Sequence, residues 1–367
     1  MNFDLKNHLK TLCELHAPSG YEDAARYYLR EVWSPWVESF QVEGLGSLIA
    51  YKPGQGAGPR PKIMLSAHMD EIGMVVTEVR QGYLRLGDLA GMDGRILQGK
   101  GVMVHGQRPL SGTIAAVPPH ISNSTGEGKS TYPSLDQQWV DLGLPAEEVA
   151  ALVSIGDVVT LDAPLIELKG GLLAGKAMDN RACVAAISQC LWLLQKRLHQ
   201  WDVYAVASTQ EEKGWFGGVA SAQMIQPDLC IVLDVTFAKQ PGVNDDTAPA
   251  LGKGVPISIG ANFQPQWVKL LEGIAKDHDI PYSLDPLPAA SGTEAWGIQL
   301  ANQGIPCALL NIPVRNMHTG VETVSLKDIQ RAGRWLAEAV TALDEQTLDE
   351  LAWKTDVSDD NDNKEDS

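Results

Sequence analysis

Apolar residues recur along this chain with two periods, and the switch between them divides it. MNFDLKNHLKTLCELH (1–16) alternates charged and apolar residues at helical spacing. The first 37 residues read as two helices separated by APSG, with Ser19 an N-cap and Glu22 its capping-box partner. Strand-like runs follow: VESFQVE (37–43), SLIAYK (47–52) and KIMLSAHM (62–69). From 71 to 164 the helical period fades, leaving short β-like runs, IGMVVTEV, YLRLG, SGTIAAVP and DVVTLD, among many glycines. HISNSTGEGKSTY (120–132) reads as a mobile loop. Beyond Gly170 the two periods alternate again. RACVAAISQCLWLLQKRL (181–198) predicts a long helix, WDVYAVAS (201–208) a strand, FGGVASAQMI a short helix and DLCIVLDV (228–235) a strand. PISIG and IPYSLDP then flank a helix at QPQWVKLLEGIAKDHD. A helix at TEAWGIQLAN, a strand at IPCALLNIPV and a long helix at SLKDIQRAGRWLAEAVTAL follow.

This alternation predicts an α/β fold, a mixed and largely parallel sheet flanked by helices. The helix-poor block predicts an inserted β-barrel-like domain at 71–164, which splits the α/β domain into 1–70 and 165–346. The remainder, 347–367, reads as an acidic, disordered tail.

Composition narrows the function. Of the 367 residues, 44% are hydrophobic and 20% charged, as in ordinary globular proteins. No run of 18 apolar residues occurs, so no membrane span is expected. The N-terminus lacks the basic and apolar regions of a signal peptide, which predicts a cytoplasmic protein. The five cysteines are odd in number and scattered, so buried reduced thiols are expected rather than a cysteine metal site. A net charge of −17 argues against nucleic acid or an anionic membrane as partner. Residues 349–367 hold eight acids and two lysines, which leaves −11 for the rest of the chain.

The predicted strands end in candidate chemistry. KIMLSA ends in His68-Met69-Asp70, the strand at 201–208 in Glu211-Glu212, and DLCIVL in Asp234. IPCALLNIPV runs into Arg315-Asn316-Met317-His318, and LLAGKAM into Asp179 just before the long helix. Taken singly each has an ordinary reading: a helix cap for Asp179, a turn for Asp234, a loop histidine, a solvated pair beside Lys213. Together they deliver carboxylates and imidazoles to the carboxyl ends of several strands, where sites in such sheets lie. Two histidines and several carboxylates without thiolates suit Zn²⁺ or Co²⁺, and Mn²⁺ as well. So many acids favour two ions over one, with Asp179 able to bridge them. Asp70, two residues beyond His68, lies on the same side of the chain and can fix that ring's tautomer. Glu211 and Glu212 can serve one site only where the chain turns, which Gly214, Gly217 and Gly218 permit. One of the two would bind metal and the other, unligated, would take the proton of a water.

Six motifs, AHMDEIG (67–73), MDNR (178–181), EEKGWFGG (211–218), LDVT (233–236), SGTEA (291–295) and IPVRNMHTGVETV (312–324), resemble the glutamyl/deblocking aminopeptidases. That family includes the tetrahedral (TET) aminopeptidases. The resemblance implies an aminopeptidase with two divalent metal ions acting on short peptides. His68, Asp179 and Asp234 would hold one ion, and Asp179, Glu212 and His318 the other. Glu211 would be general base and then acid, Asp70 would orient His68, and a cis peptide would follow Asp179. The resemblance also implies a homo-oligomer, a dimer through the β-domain with a tetrahedral dodecamer as a further step. The acidic tail is additional to the family pattern and bears on that step. Thr293-Glu294-Ala295 stands where the family often has Thr-Asp-Ala, so Thr293 and Glu294, with Arg315, are candidates for substrate binding. Two rival functions keep the same residues: a metal-dependent amidohydrolase or deacylase on blocked substrates, and a non-catalytic assembly protein with a retained metal site. A two-carboxylate glycosidase is a weaker rival, since it leaves His68, His318 and Asp234 without a role.

Overall fold

Helix α1 (Leu5–Glu14) buries Leu5, Leu9, Leu12 and Cys13 along one face, and α2 (Asp23–Trp33) buries Ala25, Leu29 and Trp33. The computed structural model describes residues 3–56, 58–122, 133–243 and 248–353. Ser19 does not cap α2: that helix starts behind Glu22 with no side-chain cap. Ser19 instead donates its hydroxyl to Asp70 Oδ2 at 2.6 Å. A fully buried carboxylate needs a donor more than a partly exposed helix end does.

Strands β1 (Ser39–Val42), β2 (Leu48–Lys52) and β3 (Lys62–His68) come next. Then follow β4 (Gly73–Arg80), β5 (Tyr83–Ala90), β6 (Gly101–His105), β7 (Pro109–Ala115), the helical turn α3 (Pro119–Ser122), β8 (Trp139–Asp141), α4 (Ala146–Leu152) and β9 (Val158–Leu161). These six strands close into an antiparallel barrel in the order β4-β5-β8-β7-β6-β9. Met74 and Val76, Leu84 and Leu86, and Val102 and Val104 alternate with outward residues and fill its interior. The turn α3 occupies the start of the stretch expected to be a loop, whose residues 123–132 lie outside the described ones.

Strands β10 (Ile166–Leu168) and β11 (Leu172–Gly175) lead into α5 (Met178–Leu194), β12 (Asp202–Ser208), the one-turn helix α6 (Glu211–Gly214), α7 (Phe216–Ile225) and β13 (Leu229–Phe237). β14 (Val255–Ile259), α8 (Pro265–Asp277), β15 (Tyr282–Pro286), α9 (Ala295–Ile298), β16 (Cys307–Val314), β17 (Glu322–Ser325), α10 (Leu326–Ala342) and α11 (Thr347–Leu351) complete the described elements. The main sheet runs β1-β2-β12-β3-β13-β16-β14-β15. Its centre, β12, β3, β13 and β16, is parallel, and antiparallel pairs flank it. Helix α5 is buried on nearly every side, as its apolar sequence requires. Gly333 lets α10 approach it, since a Cβ there would sit 2.7 Å from the Ala186 carbonyl oxygen.

All five cysteines are free and buried. Among the described residues no helix is long and apolar enough to cross a membrane. Helix α11 lies inside the stretch expected to be a disordered tail. Leu351 there is buried, and its carbonyl accepts from Gln264 Nε2, so ordered structure runs past residue 346. Residues 354–367 lie outside the described ones.

Candidate metal centre

The centre forms where β3 parts from its neighbour. β13 pairs with β3 only as far as Val232 opposite Ser66, yet stays paired with β16 to Phe237 opposite Val314. His68, the last residue of β3, and Asp234 flank the gap. Asp234 therefore sits within β13 rather than at its end, as the sequence suggested. Asp179 also departs from expectation. Its preceding strand, β11, belongs to a separate antiparallel sheet, β10-β11-β17, so Asp179 reaches the site from the kinked, non-helical entry to α5. His318 lies between β16 and β17, and Glu211 and Glu212 open α6.

The turn at the glutamate pair uses Gly214, at φ 155°, as expected, and also two residues with side chains: Gln210 at φ 55° and Trp215 at φ 63° bracket α6 in the left-handed region. Gly217 and Gly218 have another use. A Cβ at 217 would meet Thr209 backbone at 2.5 Å, and one at 218 would meet Glu294 Oε2 at 2.3 Å.

Two groups of donors result. His68, Asp179 and Asp234 form one, and Asp179, Glu212 and His318 the other, with ligand atoms in each group within 4.8 Å of one another. His68 Nε2 lies 3.2 Å from Asp179 Oδ1 and 3.9 Å from Asp234 Oδ1. His318 Nε2 lies 3.3 Å from Asp179 Oδ2 and 3.4 Å from Glu212 Oε2. Asp179 thus turns one oxygen to each group. Glu211 belongs to neither, although its Oε2 is 3.8 Å from His68 Nε2. The peptide bond after Asp179 is cis.

Electrostatics fit a cation site. Burial first, and then the neighbouring carboxylates, push Glu211 and Asp234 well above their usual pKa in spite of His68. Burial and Asp179 likewise raise Glu212. Burial alone would lower His68, but Glu211, Asp179 and Asp70 push it well above its usual value. Hydrogen bonds to Asp179 and Glu212 push His318 up to about 11. Carboxylate charge here outweighs what two imidazoles offset, and bound divalent ions would reverse these directions. The buried Oε1 atoms of Glu211 and Glu212 also have no protein partner among the described residues. Oxygen and imidazole donors without thiolate suit Zn²⁺, Co²⁺ or Mn²⁺.

Buried carboxylates hold the backbone beneath these donors. Asp70 accepts the amides of Glu211 at 3.1 Å and Glu212 at 3.2 Å, and its Oδ1 lies 3.3 Å from His68 Nδ1. Glu22 accepts the amide of Gln210, so three consecutive amides at the start of α6 each meet a carboxylate. Glu322 accepts the amides of Asp179 at 3.0 Å and His318 at 2.7 Å. Burial and Asp179 push the Glu322 pKa up to about 8. Glu71, Lys176 and Arg181 form a buried ion cluster that ties β3, α1 and α5 together. From the barrel, Gly91 packs on the His318 ring so closely that a Cβ would lie 3.1 Å from its Nδ1.

Sequence reasoning missed Glu322, Glu71 and the part played by Ser19. Glu71 and Glu322 lie inside the quoted motifs, but a carboxylate that binds backbone looks the same in sequence as one that binds metal. The candidate substrate groups fare differently. Arg315 donates to the Lys239 carbonyl and lines a surface cavity of about 540 Å³ with Gln240 and Asn316, three residues before His318. Thr293 is buried and pairs with Ser291. Glu294 does not fit a substrate-binding role: it is 1% exposed, accepts from Ser208 Oγ at 2.6 Å, and packs on Gly218. Its extra methylene is accommodated in the interior, between β12 and α7.

A sequence profile described as M42 glutamyl aminopeptidase matches residues 46–334. The lysyl aminopeptidase of Pyrococcus furiosus is 30% identical over 88% of this chain and 92% of its own length. A putative aminopeptidase of Acetivibrio thermocellus is 33% identical over 92% of this chain and 98% of its own. Among solved structures, a TET aminopeptidase from a marine sediment Thaumarchaeota archaeon superposes with a TM-score of 0.88 at 29% identity, covering 95% of this chain and 99% of the other.

Proposed function

The chain belongs to the M42 glutamyl aminopeptidase family, and from that premise we propose a dinuclear metallo-aminopeptidase that removes N-terminal residues from short peptides. The observation that carries this reading is that two oxygen–imidazole donor groups share Asp179 while Glu211 stands beside His68 and belongs to neither. His68, Asp179 and Asp234 would hold one divalent ion, and Asp179, Glu212 and His318 the other. When bound, such ions polarise a carbonyl, make water a stronger acid and accept the free α-amine of a substrate. Glu211 takes a proton from the attacking water and returns it to the leaving amine. Asp70 keeps His68 in one tautomer and, through the amides of residues 211 and 212, keeps both glutamates facing the centre.

The test uses metal-stripped protein reloaded with Zn²⁺, Co²⁺ or Mn²⁺ and a panel of aminoacyl-p-nitroanilides, free and N-acetylated. Cleavage of the free-amine set alone, absent from the stripped protein and restored by metal, is the expected result. Cleavage of the acetylated set would replace this reading with the amidohydrolase. Activity that survives stripping would exclude metal chemistry altogether.

We propose further that the chain is a homo-oligomer joined through the barrel. Sedimentation velocity should show a species of at least two chains, and a monomer at micromolar concentration would overturn this.

A further inference from the structure

We propose that Glu322 is a positioning residue that holds Asp179 and His318, two of the three members of the second donor group with Glu212, and thereby sets the affinity for its ion. This rests on the dinuclear reading above. Glu322 opens β17, which pairs antiparallel with β11 so that Glu322 faces Gly175. That register carries its carboxylate beneath the turn from β11 into α5. Oε2 takes the Asp179 amide at 3.0 Å and Oε1 takes the His318 amide at 2.7 Å. The residue is 2% exposed. A carboxylate so buried is costly unless its lone pairs are used, and both oxygens are used on ligand-bearing residues.

The backbone explains what these bonds are for. Ala177, two residues before Asp179, has φ 56°, and His318 itself has φ 59°. Side-chain-bearing residues hold such angles only where surrounding structure compels them. Asp179 and Asn180 depart from helical angles between Ala177 and the regular part of α5, and the Asp179 amide is taken by Glu322. Asp70 takes the amides of Glu211 and Glu212 while touching His68. The backbone of the second group thus rests on two buried carboxylates, Glu322 under Asp179 and His318, and Asp70 under Glu212. Glu322 makes no bond to the backbone of His68 or Asp234, so the first donor group depends on it only through Asp179.

Glu322→Gln keeps shape and volume but points an NH₂ at one of two N–H donors, which breaks one bond and adds a repulsion. Metal-free full-length chain would be titrated calorimetrically with Zn²⁺, and with Co²⁺ followed by its visible absorption. Wild type should take up two ions per chain. In Glu322→Gln one ion should bind about 10–100-fold more weakly, as for other partners that support metal ligands, with the other site changed by no more than about threefold. The metal-free unfolding midpoint should stay near that of wild type. Wild-type affinity at both sites would overturn the proposal. So would equal weakening of both together with a large fall in the metal-free midpoint, since Glu322 would then be only part of the general fold. A wild-type chain that binds fewer than two ions would fail earlier, sinking the dinuclear reading and this inference with it. Glu322→Asp keeps the charge but cannot reach both amides. It replaces Glu322→Gln should that variant not fold, with the same two readings.

Discussion

Glu211→Gln should turn over a free-amine substrate about 10²–10⁴-fold more slowly than wild type while binding the same two ions, the range expected when a proton-transferring group is removed. The variant is isosteric, so the donor groups and the fold around them keep their shape. What it lacks is the ability to accept a proton. Glu211 is suited to that task by position. It is outside both donor groups, 3.8 Å from His68 Nε2, with a buried Oε1 that has no hydrogen-bond partner among the described residues. Burial and the surrounding carboxylates raise its pKa in the ion-free centre and bound ions would lower it, so its place outside the donor groups is what suits it to move a proton. KM should change little, because the group contributes to the transition state rather than to holding the peptide. Steady-state kinetics with metal content measured on the same sample decide the matter. A kcat within tenfold of wild type, with metals in place, would remove Glu211 from the mechanism.

Glu71→Ala should lower folding stability by about 3–5 kcal/mol, the cost of leaving buried charges without their partner. Glu71 Oε2 lies 2.6 Å from Lys176 Nζ, and its Oε1 lies 3.3 Å from Arg181 Nη2 and takes the Ala17 amide at 3.0 Å. Burial would raise the Glu71 pKa, but Lys176 and Arg181 hold it below the usual carboxylate range. Removal strands two cations in the interior. Arg181 would keep its carbonyl partners at Leu12, Leu15, Ala17 and Met69 but lose its one carboxylate partner among the described residues. Lys176, whose pKa burial already lowers, would shed its proton more readily and soften the loss. The effect should reach the site as well, since Glu71 follows Asp70 and Arg181 lies two residues past Asp179. Urea unfolding followed by tryptophan fluorescence measures the cost. A loss below about 1 kcal/mol would mean that the cluster is no more than a surface-type ion pair in effect.

Much of the architecture was legible because it is local. Period-two runs between glycines marked the barrel strands, and apolar faces three and four residues apart marked α1, α2 and α10. The long apolar helix from 181 begins where its period begins, since Asp179 and Asn180 just before it depart from helical angles. The tail boundary was less legible, since acidic residues around α11 hid one buried leucine whose partner, Gln264, lies 87 positions away.

The sequence by itself nominated the side chains suited to bind metal and transfer a proton, because those types are readable in or just after apolar runs: the HMD alternation, the glutamate pair, Asp179, Asp234, His318. It also determined the order of the domains, through periodicity. Only the tertiary structure decided how these groups are held. The left-handed turns at Gln210 and Trp215, the departure of β3 from β13 after Ser66, and the placing of Asp179 by a second sheet all depend on pairings between distant segments. The roles of Ser19, Glu71, Glu294 and Glu322 follow from the same cause. A buried carboxylate takes whichever donors the fold brings to it, and for Glu322 one of those is the Asp179 amide, 143 residues away along the chain.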